Sequence, residues 1–249
     1  SLEITDESLK GQLIYSKPNF AYTDNTLNTS IRSVNNDFLK LYGYETDEIG
    51  FSLGTRFEQY ENLFFSPELD LTLEDLSTNS NASNTLKKQE GNYSDFYFNY
   101  ALDYDLRDSS YNTKQGYITS FAQELPLVSE NNELSNSFTF TTYKELKEDI
   151  EMVGRASLYL KAINTIDGSD VRVSKRANIP YNRLRGFKKG KIGPVDNKDY
   201  IGGNYVSAVN FSTNIPGLLP TVEILEFNYF IDVANVWGVD YDSSLDNSK

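Results

Sequence analysis

The sequence predicts an all-β chain folded as an antiparallel transmembrane β-barrel. Three observations carry that prediction. Apolar and polar residues alternate with a period of two through most of the chain, as they do in strands with two unlike faces. The polar faces carry charges and amides in nearly every strand, while the apolar faces are rich in aromatics and leucine. Tight connections also alternate with long polar ones, as in a barrel with short turns at one rim and long loops at the other.

The elements follow in chain order. "SLEIT" at the start reads as the tail of a strand. Weaker alternation occupies Leu9–Tyr15 and Leu27–Val34. In Ile49–Glu58, Ile49, Phe51, Leu53 and Phe57 oppose Gly50, Ser52, Gly54, Arg56 and Glu58. A tight connection at Tyr60–Leu63 leads to Glu68–Asp75, where Leu69, Leu71 and Leu73 oppose Glu68, Asp70, Thr72 and Glu74. Pro67 has no amide hydrogen for a ladder and is read as opening that strand. The long polar stretch Ser77–Asn92 follows. In Tyr93–Tyr104, Phe96, Phe98, Tyr100, Leu102 and Tyr104 oppose Asp95, Asn99 and Asp103. Gly116–Leu125 and Ser137–Lys144 come next, then a tight turn at Lys147–Asp149. Glu151–Ala162 alternates well, although its residues also suit a helix. Tyr205–Phe211 precedes Thr221–Trp237, in which Leu225, Phe227, Tyr229, Ile231 and Val233 oppose Glu226, Asn228, Asp232 and Ala234, with Phe230 the exception to the alternation. The total is about ten strands of ~9–11 residues and no convincing helix. The competing architecture is a soluble β-sandwich, which also alternates. In a barrel the apolar face meets lipid, the polar face lines the lumen, and every backbone group is paired. A negative mean hydropathy fits, because only half of each strand need be apolar.

Composition removes several function classes. The 249 residues include 18 Tyr and 15 Phe, but no Cys and no His. Disulfides, thiol nucleophiles, Cys-rich zinc sites and a Ser-His-Asp triad are therefore excluded. No apolar run approaches the ~20 residues of a spanning helix, and the first residues have neither the basic start nor the apolar centre of a signal peptide. Neither end reads as a domain boundary, so the chain is expected to be a piece of a longer barrel, residues 1–249 forming one partial domain. Asp240, Asp242 and Asp246 are spaced like the start of a calcium loop, but the Gly and terminal Glu such a loop needs are lacking, and a solvated loop is the expectation. With 36 carboxylates a glycosidase-like pair arises by chance, and none is singled out. The expectation is a protein that is not an enzyme and uses no cofactor.

One segment stands apart. Val171–Pro194 holds eight of the 23 basic residues and no Asp or Glu, leaving 15 basic residues against all 36 acidic ones elsewhere. "GFKKGK" at Gly186–Lys191 is superficially a Walker loop, but its glycines are spaced one residue short and Ile192 stands where a magnesium-binding Ser or Thr belongs. Binding of nucleic acid is opposed by the net charge of −13. The third reading is a cationic loop folded back into the barrel, where lumen carboxylates could accept bidentate bonds from an Arg. Gly186 would permit a sharp turn there and Phe187 would anchor the tip by packing.

These residues resemble a known family. "LRGF" at Leu184–Phe187 (with Arg185, Gly186 and Phe187), "IGP" at Ile192, Gly193 and Pro194, and "GGN" at Gly202, Gly203 and Asn204 are similar to the loop-six motif of the BamA family of outer-membrane assembly factors, within the bacterial surface antigen superfamily. "FIDVANVW" at Phe230–Trp237 resembles the family's Phe-x-Asp-x-Gly-x-x-Trp strand, with Ala234 in place of the Gly. "YDLRDSSYNTKQGY" at Tyr104–Tyr117 resembles its Asp-x-Arg-Asp…Gly-Tyr turn. The resemblance spans the chain in collinear order. It implies a sixteen-strand barrel preceded by periplasmic POTRA domains, of which this chain would supply about ten to eleven strands and no POTRA domain. It implies that Arg185 pairs with Asp232 in the lumen. A second acidic partner is usual on the strand after the loop; Ser212 stands there in this chain, and Glu226 is the candidate substitute. Trp237 ends its strand, either among interfacial aromatics or against the loop. The function implied is folding and insertion of other β-barrel proteins into the bacterial outer membrane, with outer-membrane lipid, unfolded client proteins and accessory lipoproteins as partners and without nucleic acid. The alternatives are a TamA-like or two-partner secretion transporter of the same superfamily, a passive porin whose basic loop sets anion preference, and a soluble β-sandwich binding module.

Overall fold

A computed structural model describes residues 1–4, 8–216 and 227–246. The strands are β1 (Leu2–Ile4), β2 (Ser8–Lys17), β3 (Thr26–Phe38), β4 (Tyr44–Tyr60), β5 (Leu63–Thr78), β6 (Gly91–Asp105), β7 (Gly116–Val128), β8 (Glu133–Lys147), β9 (Met152–Thr165), β10 (Val195–Asp196), β11 (Asp199–Tyr200), β12 (Tyr205–Ile215) and β13 (Phe227–Trp237). All but β10 and β11 form one eleven-stranded antiparallel sheet in the order β1 to β9, then β12 and β13. Each strand pairs with the next in sequence, except where a long loop containing the small β10–β11 hairpin intervenes between β9 and β12. Every predicted strand is present, including the "SLEIT" tail as β1 and Glu151–Ala162 as β9. The first part of the Thr221–Trp237 strand, with Leu225 and Glu226, lies outside the described residues.

The strands are longer than expected, reaching 17 residues in β4 and 16 in β5. Connections alternate less strictly than predicted. Residues 61–62 and 148–151 are tight turns, but 106–115, on the same rim, is longer. It stays compact because the Leu106 amide donates to the Tyr117 carbonyl at 2.8 Å and the Asp108 amide to the Gln115 carbonyl at 3.1 Å. Arg107 meanwhile clamps Asp105 through Nε (2.8 Å) and Nη2 (2.6 Å). A one-turn helix, α1 (Asn84–Lys87), sits in the stretch read as loop; Ser83 accepts the Leu86 amide and so caps its start.

Burial in the sheet is inverted relative to a water-soluble protein. Along β5, Leu69, Leu71 and Leu73 are exposed while Asp70, Thr72 and Glu74 are buried. The same holds on β4, where Ile49, Phe51 and Leu53 face out and Ser52 faces in. A sandwich would bury the leucines against a second sheet. Here, among the described residues, the leucine-rich face of the sheet is exposed, as in a wall whose apolar face meets lipid. The two apolar clusters instead lie beneath the long loops. One joins Leu41, Tyr42, Tyr44, Leu76, Leu86 and Val239 at the rim. The other joins Ile163, Val206 and Val236 of the wall to Val171, Ala177 and Ile179 of the long loop.

Candidate functional site: a basic loop on the inner wall

Residues 166–204 leave β9, cross the polar face of the sheet and return to β12. Their stem is fixed by backbone pairing, Ala177 and Gly203 exchanging amide-to-carbonyl hydrogen bonds of 2.8 and 2.9 Å. Gly203 is demanded by space: a Cβ there would lie 2.3 Å from the Trp237 carbonyl oxygen. Asn204 holds the junction, its amide donating to the Gly238 carbonyl (2.8 Å) and its carbonyl accepting from the Ile163 amide (2.8 Å). Pro194 is fully buried, and Gly193 lies against Val236.

Arg185 meets Asp232. Its Nε donates to Oδ2 at 2.7 Å, Nη2 to Oδ1 at 2.6 Å, and its backbone amide to Oδ2 at 3.0 Å. The carboxylate is nearly inaccessible (3 % exposed), whereas the guanidinium side chain remains 35 % exposed. These bonds to Asp232 raise the Arg185 pKa further above its ordinary value, although burial works against them. Among the described residues Arg185 has no second acidic partner, and Ser212 does not bond it. Asp232 instead has a second donor in Asn210, directly opposite it in register, whose Nδ2 donates to Asp232 Oδ1 at 2.8 Å and to the Arg183 carbonyl at 2.7 Å. Glu226 lies outside the described residues. Phe230, the residue that breaks the alternation, is explained: the Arg185 guanidinium stacks on its ring, 3.8 Å from the centroid. Arg183 adds a bond to Ser157 Oγ at 2.6 Å.

Gly186 has φ +85°, the left-handed region that suits glycine. Phe187 does not anchor the tip: it is 61 % exposed, like Tyr181 nearby. Leu184 and Ile192 do that work, packing on the second apolar cluster, because the turn at Gly186 aims the next side chain away from the wall. Ala234 packs on the same cluster. The Trp237 ring lies 5.8 Å from that of Tyr205, its register partner on β12, tilted by 34°, on the strand face opposite Ala234 and Val236, which pack with the loop.

The stem carries a contact that sequence reasoning missed. Arg172 is wholly buried, with Asp95 of β6 bonded to its Nη2 and Glu74 of β5 3.3 Å from its Nε. Its amide donates to Glu133 of β8 (3.1 Å), and the guanidinium lies 4.0 Å from the Tyr93 ring centroid. Burial pulls its pKa down, but the carboxylates of Glu74, Asp95 and Glu133 more than offset that. A signal existed in the isolated "VRV", since Val171 and Val173 are buried on either side. The three aspartates spaced like a calcium loop are otherwise engaged. Asp240 pairs with Arg176, and despite the cost of burial this pairing holds its pKa below the usual carboxylate range. Asp242 caps the turn at Ser243–Leu245, and Asp246 accepts the Gly238 amide.

Comparison with known proteins decides the family. The whole chain, residues 1–249, matches the Omp85 superfamily domain. The chain belongs to that superfamily. Its fold is that of the barrel in the crystal structure of BamA from Haemophilus ducreyi lacking POTRA domains 1-3, with a TM-score of 0.84 at 21% identity over 96% of this chain and 51% of that one. This Omp85 chain thus spans about half the length of the BamA structure it matches. No curated protein sequence matches it. The superfamily is one of outer-membrane protein insertion and transport.

Proposed function

We propose that this Omp85 chain is the barrel part of a BamA-type assembly factor, which folds and inserts β-barrel proteins into the bacterial outer membrane. The observation that carries the reading is the basic loop pinned to the inner wall by Arg185 and Asp232, in a barrel wall whose fold is that of BamA. On this reading the lipid-facing leucines sit in the outer membrane, and the partners are unfolded client chains and accessory lipoproteins. A sheet edge can template a client strand through main-chain hydrogen bonds, and a thinned bilayer beside it lowers the insertion barrier. No step needs a nucleotide.

The test uses the full-length protein in liposomes, presented with an unfolded β-barrel client. Faster formation of protease-protected client than in empty liposomes is expected. Steady single-channel conductance without client folding would favour the passive porin, and export of a soluble client the two-partner secretion reading. The brace is tested by Arg185→Asp, Asp232→Arg and the double swap. Breaking one partner of a buried pair costs more than exchanging both. Because Arg185 is partly exposed, each single change should cost roughly 1–3 kcal/mol of barrel stability, and the swap should recover part of it. Two fully functional single variants would sink the brace.

A further inference from the structure

On the lipid-facing side of the sheet a cleft of about 300 Å³ opens over β9, between Leu146 of β8 and Phe211 of β12. We propose that it seats one acyl chain of a phospholipid from the leaflet on the short-turn side, with Lys144 at its mouth binding the lipid phosphate. The inference rests on the leucine-rich face meeting lipid, and not on client insertion.

The cleft follows from small residues in neighbouring register rows. Lys144 of β8, Gly154 of β9, Thr213 of β12 and Tyr229 of β13 stand side by side across four strands. The next row away from the rim holds Thr142, Ala156 and Phe211. Gly154 and Ala156 therefore make a low floor on β9. Their face is the outer one, because Ser157, on the alternate face, turns inward to Arg183. Leu146 lies at the bulge before Lys147, which aims it over the lower end of the floor. A Cβ on Gly154 would lie 3.1 Å from the Leu146 Cδ1. Thr142 and Thr213 donate their hydroxyls to the carbonyls of Gly116 (3.3 Å) and Asn214 (3.2 Å), which leaves the lining apolar.

Gly154 has no backbone reason to be glycine. Its φ is not positive, and the three atoms nearest an added Cβ all belong to the flexible Leu146 side chain. Gly50 and Gly54, by contrast, would meet Arg32 and the Pro67 carbonyl. Glycine inside a strand weakens it and marks a place where something else comes close. On a lipid-facing wall that neighbour is an acyl chain, and an unfilled cleft forfeits its dispersion contacts. Lys144 supplies the charge. It is exposed and lies three residues before Lys147, where β8 ends, hence roughly 10 Å along the strand from the rim. Tyr229 in the same row is exposed too, as aromatics at a membrane interface are. The nearby acids are engaged elsewhere: Glu145 and Glu151 face Lys114, at 3.9 and 2.7 Å. Lys144 has no carboxylate partner among the described residues, and a lipid phosphate is the anion available at this depth. A lysine stem lies along apolar surface while its amine reaches the head group.

Native mass spectrometry of the full-length protein, delipidated in an uncharged detergent and titrated with dioleoylphosphatidylglycerol, counts the retained lipid. The wild type should hold one lipid more tightly than the rest. Gly154→Leu should weaken that first site by roughly tenfold, the size of an overpacking clash. It should fold, because only the end of Leu146 has to move. Lys144→Gln should weaken the site about fivefold, the worth of one basic group beside anionic head groups. Lys17→Gln removes an exposed lysine from the same rim, at the end of β2, and should leave the first site unchanged. Dioleoylglycerol, which has both chains and no phosphate, should bind the wild type no better than the phospholipid binds Lys144→Gln. A Gly154→Leu protein that keeps its first lipid, or a loss in Lys17→Gln equal to that in Lys144→Gln, would reduce the contact to general lipid solvation and overturn the proposal. A dimer that Gly154→Leu dissolves would assign the cleft to a second copy of the chain and overturn it as well. Lipid retention does not depend on insertion activity, so a protein that shows the site but inserts no client would remove the assembly reading alone.

Discussion

The two flanks of the inner wall keep their charges in different ways. On the β3–β5 flank the cation belongs to the wall itself. Arg32 of β3 reaches Glu48 of β4 at 2.8 Å and Asp70 of β5 at 2.6 and 2.9 Å, and donates to Thr72 at 2.6 Å. On the β12–β13 flank the inner positions Asn210, Ser212 and Asp232 present hydrogen-bonding groups without a cation of their own, and the loop brings Arg185 to them. The first arrangement forms whenever the strands pair. The second forms only when the loop is home.

The largest expected effect breaks the self-sufficient flank. Arg32→Met leaves Asp70, a buried residue, and Glu48 facing the lumen without their cation. Loss of one partner from such a pair costs about 3–5 kcal/mol, whereas neutralising all three groups together costs far less. The denaturant midpoint of the full-length barrel in micelles should fall accordingly, and recover in Arg32→Met with Glu48→Gln and Asp70→Asn. A fall no larger than that caused by Arg185→Met would mean that the two flanks are held alike. Gly50 sharpens the same point at smaller cost. It lies opposite Arg32 in register, and a Cβ there would come within 2.3 Å of the guanidinium carbon. Gly50→Ala must push the guanidinium off its acceptors, with an expected loss of about 1–3 kcal/mol. If Gly50→Ala is neutral, and also neutral on an Arg32→Met background, the glycine is not there to make room.

How much of this could be read from the residues follows the same division. The strands were legible because alternation is a local property, and on β5 it separated Leu69, Leu71 and Leu73 from Asp70, Thr72 and Glu74 onto the faces they occupy. That the loop's cations would meet lumen carboxylates was legible from charge alone. Which cation meets which carboxylate was not, since Arg172 finds Asp95 across 77 positions of sequence, and no periodicity encodes that. The Arg185–Asp232 contact came from the family resemblance and from the placing of Asp232 on the polar face. Phe187 was misread because an aromatic beside a turn suggests packing, while the left-handed Gly186 turns it outward. Asn210 was overlooked because an amide gives no charge signal, although it stands opposite Asp232. The one-turn helix at Asn84–Lys87 is too short for a period of 3.6 to show.

Ser212 offers the smallest and most discriminating change. It stands opposite Phe230, the ring on which the Arg185 guanidinium rests, and opposite Arg155 on its other side. Ser212→Asp would add an acid at the position where the family resemblance implies one, beside the described residues of this flank. Two cations then compete for it. If the new carboxylate turns to Arg185, the loop is held more firmly: barrel stability should rise by about 0.5 kcal/mol, and the gain should vanish in Arg185→Met, a coupling that a double-mutant cycle isolates. If it turns to Arg155, the gain should survive Arg185→Met and vanish in Arg155→Met. That outcome would give the β12–β13 flank an ion pair with the neighbouring strand β9, independent of the loop.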